Sequence, residues 1–332
     1  MSQVKKILIL THKEVGELLP IRECLPVMAE ALADLARGNA FQPLRMIVSP
    51  PGAAGDIGLM PSYRAGERAA YGVKAVCFFP DNPSKGLDSH QGSVMLFSAE
   101  TGELLALMNA SAITAIRTAA VSGVATQLLA REDAGELAII GTGIQARAHI
   151  EAMACARSIK RARVASLNAE RARRFAEEFR PRYPFPIEPA DSVEAAVRDA
   201  DLIVTATTAA EPILKREWIS AGAHLNVVGS SIPTTREVDS ATIAASSLFV
   251  DRRESTINEG GDYLFALREG AIGPDHIKAE IGELLIGAKP GRTTPDEITV
   301  FKSLGLAIED LASADYLYRK ATENQKGTWV EF

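Results

Sequence analysis

The hydrophobic rhythm of the chain changes once, near residue 110. Ahead of that point one segment of helical period, IRECLPVMAEALADLARGN, is followed by short apolar or alternating runs: LRMIV, GLMPSY, VKAVCFF, GSVMLFS and ELLALMN. The first predicts an amphipathic helix closing at Gly38, and the others predict strands. GSVMLFS and ELLALMN flank AETG, whose final glycine marks a β-hairpin, so this part reads as an antiparallel meander. From Ser111 the pattern becomes a long alanine-rich helix, SAITAIRTAAVSGVATQLLA. Short apolar runs then alternate with helices: LAII, RVASL, DLIVTAT, HLNVVGS and SLFVD. Such alternation predicts parallel βαβ units with helices on both faces of one sheet. The last segment, TVFKSLGLAIEDLASADYLYRKA, reads as a strand and then a helix with apolar positions at Leu304, Ile308, Leu311, Ala314 and Leu317. That spacing would let it pack back on the first domain. The expected organisation is an α/β domain, residues 118–302, inserted into an α+β domain formed by residues 1–117 and 303–332.

Length and composition narrow the class. At 332 residues the chain can build two cores. With 47% hydrophobic and 23% charged residues it is close to soluble globular averages. No apolar run is read as approaching the roughly 20 residues of a membrane span. The opening MSQVKKILIL is followed by THKEVGELLP, not by a small-residue cleavage site, so it predicts a buried first strand and a cytoplasmic protein. Cys24, Cys77 and Cys155 form an odd set without CxxC or Cys/His spacing, which argues for reduced core residues and against disulfides or a metal site. The net charge of −6 and the scattered Lys and Arg residues speak against nucleic acid as a partner. An anionic ligand would have to be held by a local cluster.

The run ELAIIGTGIQARAHIEAMACA concentrates the first chemical signal. After the strand LAII, Gly141 permits a tight turn, Gly143 lets backbone approach a pyrophosphate, and Ala146 lets the next helix lie close to the sheet. The amides and dipole at that helix's start form an anion site. GxGxxA alone is weak, but between a strand and a helix it predicts a Rossmann dinucleotide site. The acidic residue that would hold an adenosine ribose should lie about 20 residues on, at the end of RVASL. Ser166, Leu167 and Asn168 stand there instead, with Arg171 one turn later. With no carboxylate to repel a 2′-phosphate, NADP(H) is favoured over NAD(H), although serine and asparagine also suit a bare ribose.

The first domain carries three isolated cations near strand or helix ends: Arg45, Lys74 and Arg117. Singly, each reads as a solvated basic side chain. Together they could clamp a carboxylate, with arginine supplying a bidentate fork and a desolvated lysine transferring a proton. His90, in DSHQGSV, reads either as a proton donor or as a loop residue making ordinary hydrogen bonds. His12, His149, His224 and His276 show no ligand spacing, and no metal is expected.

In order along nearly the whole chain, RMIV, GLMPSY, VKAVCFF, SHQGSVMLF, AIRTAAVSGVAT, IIGTGIQARAH, ADLIVTAT, EPIL, GAHLNVVGSSIPTTREVD and TVFKSLGLAIED resemble the ornithine cyclodeaminase and mu-crystallin family. The resemblance implies a Rossmann doubly wound parallel sheet inserted into a substrate-binding and dimerisation domain. It also implies hydride transfer between nicotinamide C4 and the Cα of a small amino or imino acid. It places Arg45, Lys74 and Arg117 at the substrate carboxylate and proton-transfer positions, and Gly141, Gly143, Gln145, Thr205, Thr207 and Ser230 around the cofactor. Val300 and Ser303, in the segment resembling the one that closes over the nicotinamide, would touch it.

Two positions depart from the cyclodeaminase pattern. Ser231 stands where that branch has an aspartate, and Gly58 where it has a glutamate; Asp88 and Glu67 are spatial candidates to replace them. GLMPSY, SHQ and VGSSIP resemble the mu-crystallin branch instead, which is similar to ketimine reductases. The leading expectation is therefore an NAD(P)H-dependent imino-acid reductase with Lys74 as general acid and Ser231 at the reacting centre. Ornithine cyclodeaminase, with ammonia release, and a dinucleotide-binding protein without turnover are the alternatives. A homodimer is expected, and VKAVCFF, apolar on both faces, needs two coverings.

Overall fold

The structure is a computed structural model that describes residues 5–332, and it divides into two compact units: residues 5–117 with Gly305–Phe332, and Thr118–Leu304. In chain order the first unit opens with β1 (Lys6–Leu10), β2 (Ala40–Phe41), β3 (Met46–Val48), β4 (Asp56–Arg64), β5 (Ala70–Phe78), β6 (His90–Ser98) and β7 (Leu104–Asn109). The second unit holds β8 (Glu136–Ile140), β9 (Arg161–Ala165), β10 (Ile187–Pro189), β11 (Leu202–Thr205), β12 (His224–Val227), β13 (Ser247–Val250), β14 (Ile277–Glu280) and β15 (Thr299–Lys302). The chain then returns to the first unit for the helix Ala307–Glu323 and β16 (Thr328–Glu331).

In the first unit, β4 through β7 form the antiparallel meander expected from their alternation, with nine residue pairs matched from Asp56↔Phe78 to Arg64↔Ala70. The buried first strand β1 was expected, but its neighbours were not. It lies parallel to β7, and β16 pairs antiparallel to it along the edge. The helix Ile21–Ala36 buries Cys24, Leu25, Met28 and Leu32 on one face, and Gly38 follows with positive φ. The helix Ala307–Glu323 packs on that helix and on β5. It buries Ile308, Leu311, Ala314 and Leu317 as their spacing predicts, and also Glu309 and Asp310, which that spacing did not mark.

The second unit is an all-parallel sheet in the order β10-β9-β8-β11-β12-β15-β13-β14. Its first five positions follow the doubly wound order, reversing between β8 and β11, where such sheets open a ligand crevice at the strands' C-terminal ends. Its core is aliphatic, built on Ile140, Ile203, Leu225, Val227, Leu248 and Val300. β10 and β14 are too short and too polar to show as apolar runs in the sequence.

Two expectations change. The helix Ala110–Leu129 is long and apolar enough to cross a membrane, contrary to the sequence reading; it carries a buried arginine, Arg117, and most of it is buried inside the protein, as for a core helix. Of the cysteines, all free, only Cys24 is buried; Cys77 and Cys155 are half-buried.

Candidate functional site

In the second unit the glycine turn follows β8. Gly141 has φ +115°, and a Cβ there would lie 2.4 Å from the carbonyl oxygen of Ala206, so no other residue fits. Its N–H donates to Ala165 O, and Ala206 N–H donates to Ile140 O, which ties the turn to the ends of β9 and β11. Gly143 caps the helix Ile144–Ala156, and nothing lies within 4 Å of where its Cβ would be. Ala146 is fully buried against the sheet. The Oε1 of Gln145 is buried without a hydrogen-bond partner at that same helix start. An open helix N-terminus, an empty glycine position and an orphaned polar atom fit a dinucleotide phosphate. Ser166 follows β9 directly. Asn168 caps the next helix, Ala169–Phe179, by accepting from Arg171 N–H, and the Arg171 side chain is exposed.

The ends of β11 and β12 are organised by a residue the sequence reading did not single out. Glu237, fully buried, accepts four hydrogen bonds: from Thr205 Oγ1 (2.8 Å), Thr207 N (2.7 Å), Thr207 Oγ1 (2.8 Å) and Gly229 N (2.6 Å). Burial is the main force pushing its carboxyl pKa up, opposed by Lys302 and by these bonds. Asp262, also buried, accepts from Glu237 N and Val238 N and pairs with Lys302 Nζ at 2.9 Å. Lys302 in turn donates to Ser230 O. Thr205 and Ser230 were expected to face the cofactor, yet both are buried with their hydroxyls on protein partners, Glu237 and Thr235 respectively. Their contribution is to the shape of the rim. Val300 is a correction: it is fully buried in the sheet core and has no surface to offer a ligand. Ser303 is buried, with its N–H donating to Val227 O. Ser231, just past the end of β12, is half-exposed. A charged residue inside a central strand, Lys302 in TVFKS, was the available signal for this network.

In the first unit the structure brings Arg45, Lys74 and Arg117 together. The reading of each as a solvated basic side chain fails for two of them, for Lys74 on β5 is 3% exposed and Arg117 4%, while Arg45 is half-buried. The reason is a pair of carboxylates on the first turn of the helix Ala307–Glu323. Lys74 Nζ lies 2.8 Å from Asp310 Oδ2, Arg117 Nε donates to Asp310 Oδ1 at 3.3 Å, and Arg117 Nη1 donates to Glu309 Oε2 at 2.6 Å. Arg45 donates to Gly305 O, just ahead of that helix. Burial pulls the Lys74 pKa down to about 8; Asp310 opposes this, and Arg117 and Arg45 add to it. His90 lies tilted against the Phe78 ring, with Ser89 Oγ at its Nδ1. Burial lowers its pKa, Asp88 opposes, and Lys74 lowers it further. Asp88 accepts from His90 N–H and from the Ser111 hydroxyl, and Glu67 is exposed in the β4–β5 turn.

A glycine turn at the crevice of a doubly wound sheet, in a chain that also buries two cations with two carboxylates beside a half-buried third cation, defines a class: a dinucleotide-dependent protein with a site for a small anion. The sequence matches the Ornithine cyclodeaminase/mu-crystallin family over residues 5–325, and the chain belongs to that family. It is 40% identical over 297 residues to mouse ketimine reductase mu-crystallin, covering 89% of this chain and 90% of that one. Among solved structures it is similar to Thermococcus litoralis Δ1-pyrroline-2-carboxylate reductase in complex with NADH and L-proline, with TM-score 0.94 and 41% identity, covering 98% and 100% of the two chains. An archaeal alanine dehydrogenase dimer with bound NAD superposes with TM-score 0.93 at 33% identity, over 99% and 100%.

Proposed function

We propose that this chain is an NAD(P)H-dependent imino-acid (ketimine) reductase, running in reverse as an amino-acid dehydrogenase. The observation that carries this reading is the buried pair Lys74 and Arg117 against Glu309 and Asp310, with half-buried Arg45 on the Gly305 carbonyl just ahead of them. Two guanidinium groups beside an ammonium are the chemistry that recognises a substrate carboxylate. The identity to a ketimine reductase and to a reductase holding L-proline and NADH supports a cyclic or linear α-imino acid as that substrate.

A reduced nicotinamide dinucleotide, held at the glycine turn by Gly141, Gly143 and the helix start at Ile144, would supply the hydride. The chain's own groups do the rest. Arg45 and Arg117 hold the carboxylate, and Lys74 delivers the proton to the imine nitrogen, so that H⁻ and H⁺ together reduce C=N to CH–NH. With its pKa near 8, the Lys74 ammonium is protonated at neutral pH and still a competent acid. Ser231 carries a hydroxyl, which can give only a neutral hydrogen bond. It has no carboxylate to take up the proton of a departing amine, so reduction, not ammonia loss, is the reaction that suits it.

NADPH is the preferred cofactor in this reading, supported by the lack of a carboxylate at Ser166 and Asn168 and by the exposed Arg171. The working unit is a homodimer. Its support is the exposed apolar residues Phe41, Met46 and Tyr71, which the strand register places on one face of the sheet, together with the dimeric archaeal relative. Purified protein should oxidise NADPH when given Δ1-pyrroline-2-carboxylate, and should sediment at twice 35.5 kDa. A monomer at micromolar concentration would remove the dimer.

A further inference from the structure

We propose that Asp310 is the positioning residue for Lys74: its carboxylate, shared between Lys74 and Arg117, holds the ammonium protonated and aimed, and so sets how far into alkaline pH the site can deliver a proton. The catalytic half of this inference rests on the reading of Lys74 as proton donor.

The geometry is that of a bridge. Each oxygen of Asp310 takes one cation, Oδ2 facing Lys74 Nζ at 2.8 Å and Oδ1 facing Arg117 Nε at 3.3 Å. Glu309 beside it takes another nitrogen of Arg117, so Asp310 is the carboxylate that Lys74 meets. Both acids sit in the first turn of the helix Ala307–Glu323, where the helix dipole favours negative charge. The groups facing Lys74 come from several elements. Asp310 comes from that helix, and Arg117 and Thr114, whose hydroxyl accepts from Nζ at 3.5 Å, come from the helix Ala110–Leu129. Arg45 precedes β3, and His90 begins β6. Of these, only Asp310 is an anion, and the arginines push the ammonium towards losing its proton. A buried lysine with no partner titrates at ~5–6, whereas Lys74 stands at about 8. Without Asp310 it would be a neutral amine at physiological pH, unable to act as an acid.

Trace acetylation by acetic anhydride, read at Lys74 by peptide mass spectrometry across pH with exposed Lys13 as internal reference, measures this ionisation without turnover. Wild type should show a midpoint near 8. Asp310→Asn should lower it by at least one pH unit and raise Lys74 reactivity at neutral pH about fivefold or more. Asp310→Glu, which keeps the charge, should restore most of the wild-type midpoint. In each variant the alkaline limb of kcat/KM should move with the midpoint. An unchanged midpoint in Asp310→Asn would overturn the inference. So would a wild-type midpoint below ~6, which needs no variant to fold, or a limb that stays put while the midpoint moves. If wild type reduces no imino acid, the reductase reading fails, and the labelling still decides whether Asp310 holds the Lys74 proton.

Discussion

Replacing Glu237 with glutamine tests the dinucleotide-side network with almost no change of volume. The carboxylate accepts four hydrogen bonds, two on each oxygen, and each oxygen receives one backbone N–H. A glutamine can turn only one oxygen to these donors. Its NH₂ then faces either Thr207 N–H with its hydroxyl or Gly229 N–H with the Thr205 hydroxyl. The hydroxyl can rotate and accept, but the backbone N–H cannot. One buried N–H left unsatisfied costs ~1–3 kcal/mol, and exchanging charged for neutral acceptance at the others adds ~1 kcal/mol. The expected loss is thus ~2–4 kcal/mol, or a fall in Tm of roughly 5–15 °C for a unit of this size. Because Thr205, Ala206 and Thr207 form the exit of β11 against which Gly141 is packed, NADPH affinity should fall as well. Thermal unfolding and nicotinamide fluorescence titration measure the two effects. A variant within ~0.5 kcal/mol of wild type that binds NADPH normally would show that Glu237 does not hold this rim.

Ser166→Asp should move preference towards NADH by ~1–3 kcal/mol, about ten- to a hundredfold in relative Kd; wild type already binding NADH much the more tightly would contradict the reasoning. Lys74→Ala should depress kcat with cofactor affinity nearly unchanged, while Arg117→Ala should raise KM and also destabilise the first unit by ~3–5 kcal/mol, since Glu309 and Asp310 lose a buried partner. Parallel steady-state kinetics and melting curves separate the two. Burial holds His149 at a pKa of about 4 and His224 at about 3, below the ordinary 6.5. Below pH 6.5 the unfolded chain binds protons that the folded one refuses, so stability should fall as pH drops towards 4, by up to ~1.4 kcal/mol per pH unit for each histidine. Urea unfolding across that range should show the loss, and His149→Gln should flatten it; an equally steep profile in the variant would rule His149 out as a cause.

The elements carrying the dinucleotide site were legible because their signals are local. A strand, a positive-φ glycine, a capping glycine and a small residue under the helix all fall between Leu137 and Ala146. The cation cluster was only half legible. Arg45, Lys74 and Arg117 could be named, but the burial of Lys74 and Arg117 depends on Glu309 and Asp310, which lie roughly two hundred residues or more away in sequence and sit between apolar positions of an ordinary-looking helix. Burial of a charge follows from a partner brought by the fold, and no periodicity announces it. Glu237, Asp262 and Lys302 escaped for the same reason. The misassignment of Val300 has a different origin: alternate residues of a central strand face opposite sides of the sheet, and its side chain falls within the core.

The central claim, reduction of an imino acid with net consumption of cofactor, is tested most directly by one reaction vessel. Purified protein is given NADPH and Δ1-pyrroline-2-carboxylate, then ornithine with catalytic cofactor, while nicotinamide absorbance, proline and ammonia are followed. NADPH oxidised in equal amount to proline formed, with little or no ammonia from ornithine, is the predicted result. Robust ammonia release from ornithine without net loss of NADPH, or no turnover of either substrate, would contradict it.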